Sequence, residues 1–220
     1  MENDVLMMGR DIFPELLDSL DPKDPEAIRS RGDLRRLDDF LGGSRWIVRS
    51  VRSHVEAARA GIVELGAGEG ILCERLARRF PGCSVTGLDR VPAPVVMSPC
   101  VRWVCGDFLG AQGVTRGGMA VGSLILHHFS REELGVLGTM LREFRALLFS
   151  EPWRSRLPLA LSFFCRPFFG RVTKHDMTAS IRAGFCRGEL AGLLGLSATE
   201  WHVKESLCPQ GTLRFHAWRD

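Results

Sequence analysis

The chain has 220 residues, 45% of them apolar and 25% charged, which suits one globular domain or one domain with an added arm. Its net charge of +3, from 29 basic and 26 acidic side chains, is too small to indicate by itself a nucleic-acid or anionic-lipid partner. The seven cysteines form no C-x-x-C pair, which favours free thiols in a reducing compartment and predicts a cytoplasmic protein without a metal site. No stretch approaches 18 uncharged apolar residues and the early residues are acidic, so we expect neither a membrane span nor a signal peptide.

The first part of the chain, residues 1–60, is predicted to be a helical arm. Asp24 and Pro25 are typical of an N-cap and a first helical position, and a helix is expected over Glu26–Leu41. Ser44 is expected to cap a further helix. The arm either covers one side of a sheet or forms a lid over a substrate pocket, and the sequence leaves both interpretations open.

From residue 61 onward strands and helices alternate, which predicts an α/β domain, 61–220, with a Rossmann-like, doubly wound and mainly parallel sheet of seven strands. The last two strands flank Pro209-Gln210-Gly211 and are expected to form a terminal antiparallel hairpin. A glycine-rich loop is expected near 110–118, and the insertion after the fifth strand, 152–186, is interpreted as a cap. The expected strands are Gly61–Leu65, Ser84–Leu88, Val101–Cys105, Met119–Leu126, Leu147–Ser150, Glu200–Lys204 and Leu213–Ala217. The expected helices are Gly70–Phe80, Arg131–Ala146 and Arg187–Leu194.

One βαβ unit, Gly61–Asp89, carries a glycine-rich turn between its first strand and its helix. Glycines at every second position from Gly66 to Gly70 let backbone N–H groups approach a ligand closely, and the helix N-terminus adds positive partial charge. A dinucleotide turn of the G-x-G-x-x-G type needs a glycine at position 71, which is occupied by Ile71. This residue and a second carboxylate, Asp107, disfavour an NAD-dependent reductase.

This turn and three later segments together resemble class I S-adenosylmethionine-dependent methyltransferases. Residues Glu64–Gly70 are similar to the E-x-G-x-G-x-G pattern of that family's first motif, and Asp89 closes the second strand. Gly106-Asp107-Phe108 closes the third strand. Leu124–Phe129, with the sequence LILHHF, closes the fourth and resembles the L-H-H-F of ubiquinone- and menaquinone-pathway methyltransferases. The resemblance covers roughly residues 61–150.

The resemblance implies S-adenosylmethionine as the methyl donor and S-adenosylhomocysteine as the product. It implies that the glycine turn holds the methionine end, that Asp89 holds the ribose, and that Asp107 meets the adenine with Phe108 packed nearby. In the family the fourth strand usually begins with an acid, whereas here that place falls on Gly118 or Met119. The cofactor-binding residues implied in this way are Glu64, Gly66, Ala67, Gly68, Asp89, Arg90, Asp107, Phe108 and Leu124.

A second resemblance is to small bacterial methyltransferases found beside type III polyketide synthases. It rests on Asp33–Asp38, with the sequence DLRRLD, on Gly42-Gly43, and on the polar residues of His175–Phe185 followed by Glu189-Leu190. It implies a small aromatic, polyketide or quinone-like acceptor, methylated on oxygen or carbon.

The catalytic candidates are His127 and His175, either of which could help to deprotonate a phenol or an enolate carbon. The candidates for substrate contact are His128, Asp176 and Arg182. For His175 and Asp176, a hydrogen-bonded pair that only orders the insertion is an equally good interpretation. One of the two adjacent histidines must point away from the site. No nucleophilic side chain is required, because the sulfonium donor is already activated.

Other functions stay open at this stage. The chain could methylate a protein or another macromolecule, or it could bind S-adenosylmethionine without catalysis. Its near-neutral charge and the absence of an N-P-P-Y-type tetrapeptide argue against nucleic acid. The apolar residues of 159–169 could line an acceptor pocket, pack the cap, or make peripheral contact with a membrane surface. We expect a monomer or a homodimer that takes a small, apolar acceptor.

Overall fold

In the computed structural model, the described residues are 9–107, 109 and 118–220. The implied cofactor residue Phe108 and the predicted glycine-rich loop near 110–118, apart from Gly118, lie outside these residues. Within them, helices cover both faces of a single central sheet.

Seven strands form this sheet in the described part of the chain. They are β1 Ile62–Leu65, β2 Val85–Asp89, β3 Val101–Cys105, β4 Met119–Ser123, β5 Ala146–Pro152, β6 His202–Cys208 and β7 Thr212–Trp218. The strand order is β3-β2-β1-β4-β5-β7-β6, in which β1 to β5 are parallel. Strand β7 is antiparallel to both β5 and β6. The predicted doubly wound, mainly parallel sheet with an antiparallel terminal hairpin is confirmed.

Helices pack on the two faces because the apolar residues of each strand alternate between them. Among the described residues the helices are α1 Leu16–Ser19, α2 Pro25–Leu41, α3 Gly43–Ser50, α4 Val55–Arg59, α5 Ile71–Arg79, α6 Arg131–Leu141, α7 Arg156–Cys165, α8 Arg171–Ala183 and α9 Leu190–Leu193. One apolar cluster joins α6 and α9 to the sheet, and a second joins α3 and α5 to the opposite face. No described helix is both long and apolar enough to cross a bilayer.

The start of α2 follows the sequence pattern. The Oδ1 of Asp24 accepts a hydrogen bond from the N–H of Glu26 at 2.7 Å, and Pro25 occupies the first helical position. The helix ends at Gly42, whose φ of 69° is left-handed and therefore favours glycine. The capping residues thus fix the length of this arm helix.

Two aspartates of α2 attach the arm to the rest of the chain. The buried Asp33 accepts a hydrogen bond from the N–H of Gly170, at the start of α8, at 2.8 Å. Asp38 forms an ion pair of 3.3 Å with Arg75 of α5 and accepts a 2.9 Å hydrogen bond from the hydroxyl of Ser44. The prediction that Ser44 caps a helix is therefore wrong, because its hydroxyl is directed at Asp38 and α3 begins one residue earlier.

Several predicted bounds also differ from the structure. Strand β4 stops at Ser123, three residues before the predicted end at Leu126, and Leu126–His128 forms a 3-10 turn. The insertion after β5 is largely helical. Its Pro158 is compatible with α7 because it lies in the first turn of that helix, where a missing N–H costs little. The predicted helix Arg131–Ala146 ends at Leu141, because Ala146 already belongs to β5. The predicted helix Arg187–Leu194 shortens to α9, and the predicted strand Glu200–Lys204 shifts to β6.

Two glycines of α6, one turn apart, provide a test of helix packing. A Cβ at Gly138 would lie 2.1 Å from the backbone carbonyl oxygen of Leu194, whereas one at Gly135 would meet no atom within 4 Å. Gly138→Ala should therefore lower the free energy of unfolding by about 1–3 kcal/mol. Gly135→Ala should raise it by about 0.5–1 kcal/mol, because alanine favours the helix. Urea denaturation measures both, and equal effects would contradict the described contact between α6 and the segment after α9.

Candidate functional site

The carboxyl ends of β1 to β4 meet at one edge of the sheet because these four strands are parallel. Strand β1 ends at Leu65, β2 at Asp89, β3 at Cys105 and β4 at Ser123. Every motif predicted to carry function in the first part of the domain lies at one of these strand ends. Ligands of open α/β sheets bind at such an edge, where the strand order reverses direction, here between β1 and β4.

The turn after β1 depends on glycine for two separate reasons. Gly66, Gly68 and Gly70 have left-handed φ angles of 66°, 51° and 71°. A Cβ at Gly66 would also lie 2.5 Å from the Cδ1 of Ile125, while a Cβ at Gly68 would meet no atom within 4 Å. The space next to Gly68 is therefore open, and a ligand can approach its backbone there.

Glu64 lies on β1 immediately before this turn and is only 4% exposed. Its Oε2 has no hydrogen-bond partner among the described residues. Burial raises the pKa of Glu64 to about 8, although hydrogen bonding to Cys73 acts in the opposite direction. A buried carboxyl without a counter-charge is suited to pairing with a cationic group of a ligand, because pairing would compensate the charge of its ionised form.

Asp89 closes β2 directly beside the glycine turn. Its Oδ2 accepts a hydrogen bond from the N–H of Gly68 at 2.7 Å, and its Oδ1 accepts one from the N–H of Val91 at 3.0 Å. The carboxylate therefore links the end of β2 to the open part of the turn. Ala67, the residue before Gly68, is buried.

Arg90 and Asp107 form an ion pair across the ends of β2 and β3. The guanidinium of Arg90 lies 3.1 Å from the Oδ2 of Asp107, whose Oδ1 accepts a hydrogen bond from the N–H of Leu109 at 3.0 Å. Both side chains are exposed. Such a pair contributes little to stability, so either partner can exchange it for a ligand at small cost.

Leu124, directly after β4, has a left-handed φ of 57° and is the one described residue other than glycine with a positive φ. Its N–H donates a hydrogen bond to the carbonyl of Ser150 at 2.8 Å, which holds it in place. Non-glycine residues in this conformation carry about 1–3 kcal/mol of strain and concentrate at functional sites.

Glu151, near the end of β5, organises the turn that follows β4. It is completely buried, and its Oε1 accepts hydrogen bonds from the N–H groups of Ile125 and Leu126 at 3.1 and 3.0 Å. Its Oε2 lies 3.0 Å from the Nδ1 of His127. These contacts direct the backbone N–H groups of Ile125 and Leu126 towards Glu151, so that they cannot continue β4. Sequence reasoning missed Glu151, and the one available signal was an acid directly after a predicted buried strand.

His127 is 2% exposed and lies between two carboxylates. Its Nε2 is 3.5 Å from the Oε1 of Glu15, close enough for an ion pair but outside good hydrogen-bond geometry. Burial alone lowers the pKa of His127, but contacts with Glu15 and Glu151 reverse the effect and raise the pKa to about 9. At neutral pH the ring is therefore protonated and cannot accept a proton, which argues against the predicted role of His127 as a base.

The neighbouring His128 is partly exposed and has the opposite electrostatic character. Burial, together with the positive charge of His127, lowers the pKa of His128, so its ring is neutral at neutral pH. Its Nδ1 lies 4.0 Å from the Oδ2 of Asp18. Ligand atoms of Glu15, His127 and His128 lie within 4.8 Å of one another, as in a metal site. A protonated His127 compensates the nearby carboxylates without an ion.

The N-terminal arm closes over this turn. The guanidinium of Arg10 donates hydrogen bonds to the carbonyls of Ala183 at 2.8 Å and His127 at 3.0 Å. Glu15, beside His127, also accepts a hydrogen bond from the hydroxyl of Ser180 on α8. Nothing in the local sequence around Arg10 or Glu15 signals these contacts, because their partners lie more than 100 residues away.

Asp176 and His175 lie on α8, at the edge of the same region. The buried Asp176 accepts hydrogen bonds from the N–H groups of Leu16 and Leu17, at 2.7 and 3.1 Å, and so holds the start of α1. The half-exposed His175 has its Nδ1 3.0 Å from the Oδ1 of Asp176. This geometry favours the interpretation in which the pair orders the cap. Arg182, near the end of α8, is exposed.

Comparison with solved structures identifies the fold. The chain is similar to the plantazolicin methyltransferase BpumL, solved with a triazolic desmethyl analogue and S-adenosylhomocysteine. The two share 10% identity and a TM-score of 0.70 over 90% of this chain and 92% of that one. The chain has the class I methyltransferase fold. No protein-family profile and no curated protein sequence matches it.

Other proteins that share this class I methyltransferase fold with the chain include the pyocyanin biosynthetic protein PhzM, with 19% identity and a TM-score of 0.59 over 90% of this chain and 60% of that one. Human N-acetylserotonin methyltransferase, solved with S-adenosylmethionine, shares 14% identity and a TM-score of 0.52 over 92% of this chain and 61% of that one. In each of these comparisons the match spans at least 90% of this chain.

The buried carboxyl of Glu64 can be tested through the pH dependence of folding. Its pKa is about 4.3 in the unfolded chain and about 8 in the folded protein. Between these values the folded state binds the additional proton, so the free energy of unfolding falls as pH rises. Glu64→Gln removes this titration, and its melting temperature should fall less than that of the wild type between about pH 5 and pH 8.

Melting curves followed by circular dichroism measure this difference. The matched control is Glu56→Gln, because Glu56 is exposed in an ion pair with Arg59. This variant should show the pH dependence of the wild type. Parallel curves for Glu64→Gln and the wild type would contradict a raised pKa at Glu64.

Proposed function

We propose that this protein is an S-adenosylmethionine-dependent methyltransferase that acts on a small, apolar, aromatic or quinone-like acceptor. The observation that carries the proposal is the open glycine turn at Gly68, with carboxylates at the ends of three neighbouring strands, in a chain that has the class I methyltransferase fold. The solved proteins that share this fold were crystallised with S-adenosylhomocysteine or S-adenosylmethionine in several cases.

The chemistry of the edge suits each part of this cofactor. In the proposal, Glu64 faces the ammonium of the methionine end, with backbone groups of the turn around it. Asp89 exchanges its hydrogen bond from Gly68 for the two ribose hydroxyls, which a carboxylate can accept together. Asp107 meets the adenine amino group, with Arg90 beside it. Leu124 and Phe108 complete the proposed cofactor set.

Methyl transfer makes few chemical demands on the protein. An acceptor oxygen or carbon forms a bond to the methyl carbon while the bond to sulfur breaks, and sulfur keeps the electron pair. S-adenosylhomocysteine is released, and the acceptor proton passes to a base or to water. The protein therefore contributes alignment and the exclusion of water, and the arm that closes over the turn after β4 can supply both.

His128 is the better candidate for a base in this proposal. Its pKa is lowered and its ring is partly exposed, so it can accept a proton at neutral pH. His127 is instead a positioning residue, because a buried and protonated ring holds Glu151 and Glu15 together. His175 stays a second candidate, since its ring is half exposed and oriented by Asp176.

The enclosure of the region favours a small acceptor over a macromolecule. Residues 10–18 of the arm lie across α8 and the turn after β4, where a protein or nucleic-acid substrate would have to enter. A non-catalytic protein that binds S-adenosylmethionine would keep the glycine turn but would not need a neutral histidine in the turn after β4. All seven cysteines lie among the described residues and are free thiols, which supports a proposed cytoplasmic location.

Cofactor binding is tested by placing a side chain in the open space of the turn. Gly68→Val should abolish binding of S-adenosylhomocysteine in isothermal titration calorimetry, because the new side chain would occupy the volume proposed for the ligand. Gly188→Val is the matched control. Gly188 also has a left-handed φ, of 84°, and open space around it, but it lies beside β6 at the far end of the sheet.

Both substitutions should lower the free energy of unfolding by a similar amount, about 1–2 kcal/mol, because both place a Cβ on a residue with a left-handed backbone. The control should keep the affinity of the wild type for S-adenosylhomocysteine. Wild-type affinity in Gly68→Val would reject the proposed cofactor site.

The proposed base is tested by His128→Ala. With a phenolic acceptor that yields S-adenosylhomocysteine, kcat should fall by about 10²- to 10⁴-fold while the affinity for S-adenosylhomocysteine is unchanged. His175→Ala is the control and should retain most of the activity. The reverse pattern, with activity lost in His175→Ala and kept in His128→Ala, would assign the base to His175.

A further inference from the structure

The cap helix α7 has an unusual distribution of side chains. A surface helix normally buries its apolar face and exposes its polar one. The buried residues of α7, a helix of ten residues, are instead Pro158 and Ser162. Its large apolar side chains point to solvent, and they continue onto the 3-10 turn Arg166–Phe168.

Five exposed side chains define what we call the α7 patch. Phe163 is 65% exposed, and Phe164 and Phe168 are each 74% exposed. Large exposed apolar patches of this kind mark interaction surfaces on soluble domains. The patch consists of Leu157, Leu161, Phe163, Phe164 and Phe168.

The segment of sequence that contains the α7 patch carries charge of one sign. Between residues 152 and 175 the sequence contains four arginines and a lysine but no aspartate or glutamate. Arg156 and Arg166 are exposed at the two ends of α7, and the guanidinium of Arg166 lies 5.7 Å from the ring centroid of Phe163. Of the other arginines, Arg154 is buried against Glu189 and Arg171 forms an exposed pair with Glu26.

We propose that the α7 patch docks on an anionic membrane surface. Phenylalanine and leucine side chains would insert at the boundary between head groups and acyl chains, while the flanking arginines would contact lipid phosphates. The inference goes beyond the proposed methyltransferase activity, since it concerns binding of the protein to a membrane surface and not the molecule that it methylates.

A lipid surface fits the α7 patch better than a second copy of the chain. A helix of ten residues is about 15 Å long, which is short for the roughly 800 Å² per partner that a stable protein interface needs. Two copies meeting through this patch would also bring Arg156 and Arg166 close to the same residues of the partner. Like charges oppose such an association, whereas an anionic bilayer attracts them.

The test uses the full chain and sedimentation with vesicles of phosphatidylcholine alone or mixed with phosphatidylglycerol. The wild type should bind the anionic vesicles, bind the neutral ones at least about tenfold more weakly, and be released as the salt concentration rises. Changing Phe163, Phe164 and Phe168 together to Ser should weaken binding to anionic vesicles by about tenfold or more.

The matched control is Phe40→Ser, because Phe40 is an equally exposed phenylalanine, at 62%, but lies on α2. It should bind vesicles like the wild type. Arg166→Glu should weaken binding to anionic vesicles without changing binding to neutral ones. Melting curves of each variant show whether weaker vesicle binding results from unfolding. Titration with S-adenosylhomocysteine shows separately whether the proposed cofactor site is present.

Three results would overturn the proposal. One is the absence of wild-type binding to anionic vesicles at low salt, and another is binding that the triple phenylalanine variant retains. The third is a dimer, detected by light scattering in buffer, that the triple variant converts to a monomer, which would assign the α7 patch to a second copy of the chain.

Discussion

The protonated ring of His127 between Glu151 and Glu15 is the interaction on which the rest of the site depends. A buried carboxylate, Glu151, and a largely buried one, Glu15, in a medium of low dielectric constant need a compensating positive charge, and the ring supplies it to both. Glu151 belongs to the sheet and Glu15 to the arm, so a single charge couples the strand core to the segment that covers it. Removing the ring would take away the charge that the two carboxylates share and one of the contacts that hold the arm.

This interaction also connects the two halves of the site. Glu151 binds the backbone N–H groups of the turn after β4, and Ile125 of that turn contacts the glycine turn at Gly66. The arm, the turn after β4 and the glycine turn are therefore joined through a short series of packed groups. The strained Leu124 lies in the middle of this series, where hydrogen bonding on either side over-determines its backbone.

Local patterns predicted the first half of the domain well, and contacts between distant residues account for what they missed. The bounds of β1, α5 and β2 lie within one residue of the expected ones, because glycine and the alternation of apolar residues act locally. The extension of β4 to Leu126 was wrong because Glu151, 25 residues later, captures the N–H groups that would have continued the strand. Neither Arg10 nor Glu15 has a neighbour in sequence that indicates its partner.

Residues 33–43, on which the resemblance to methyltransferases found beside type III polyketide synthases partly rests, have structural roles in this protein. Asp33 holds the start of α8, Asp38 binds Ser44 and Arg75, and Gly42 ends α2 in a left-handed conformation. These residues fix the arm against the cap and against α5, and none of them needs to touch an acceptor to explain its presence. Selectivity for the proposed acceptor is then expected from side chains of α1, of α8 and of the turn that contains His128.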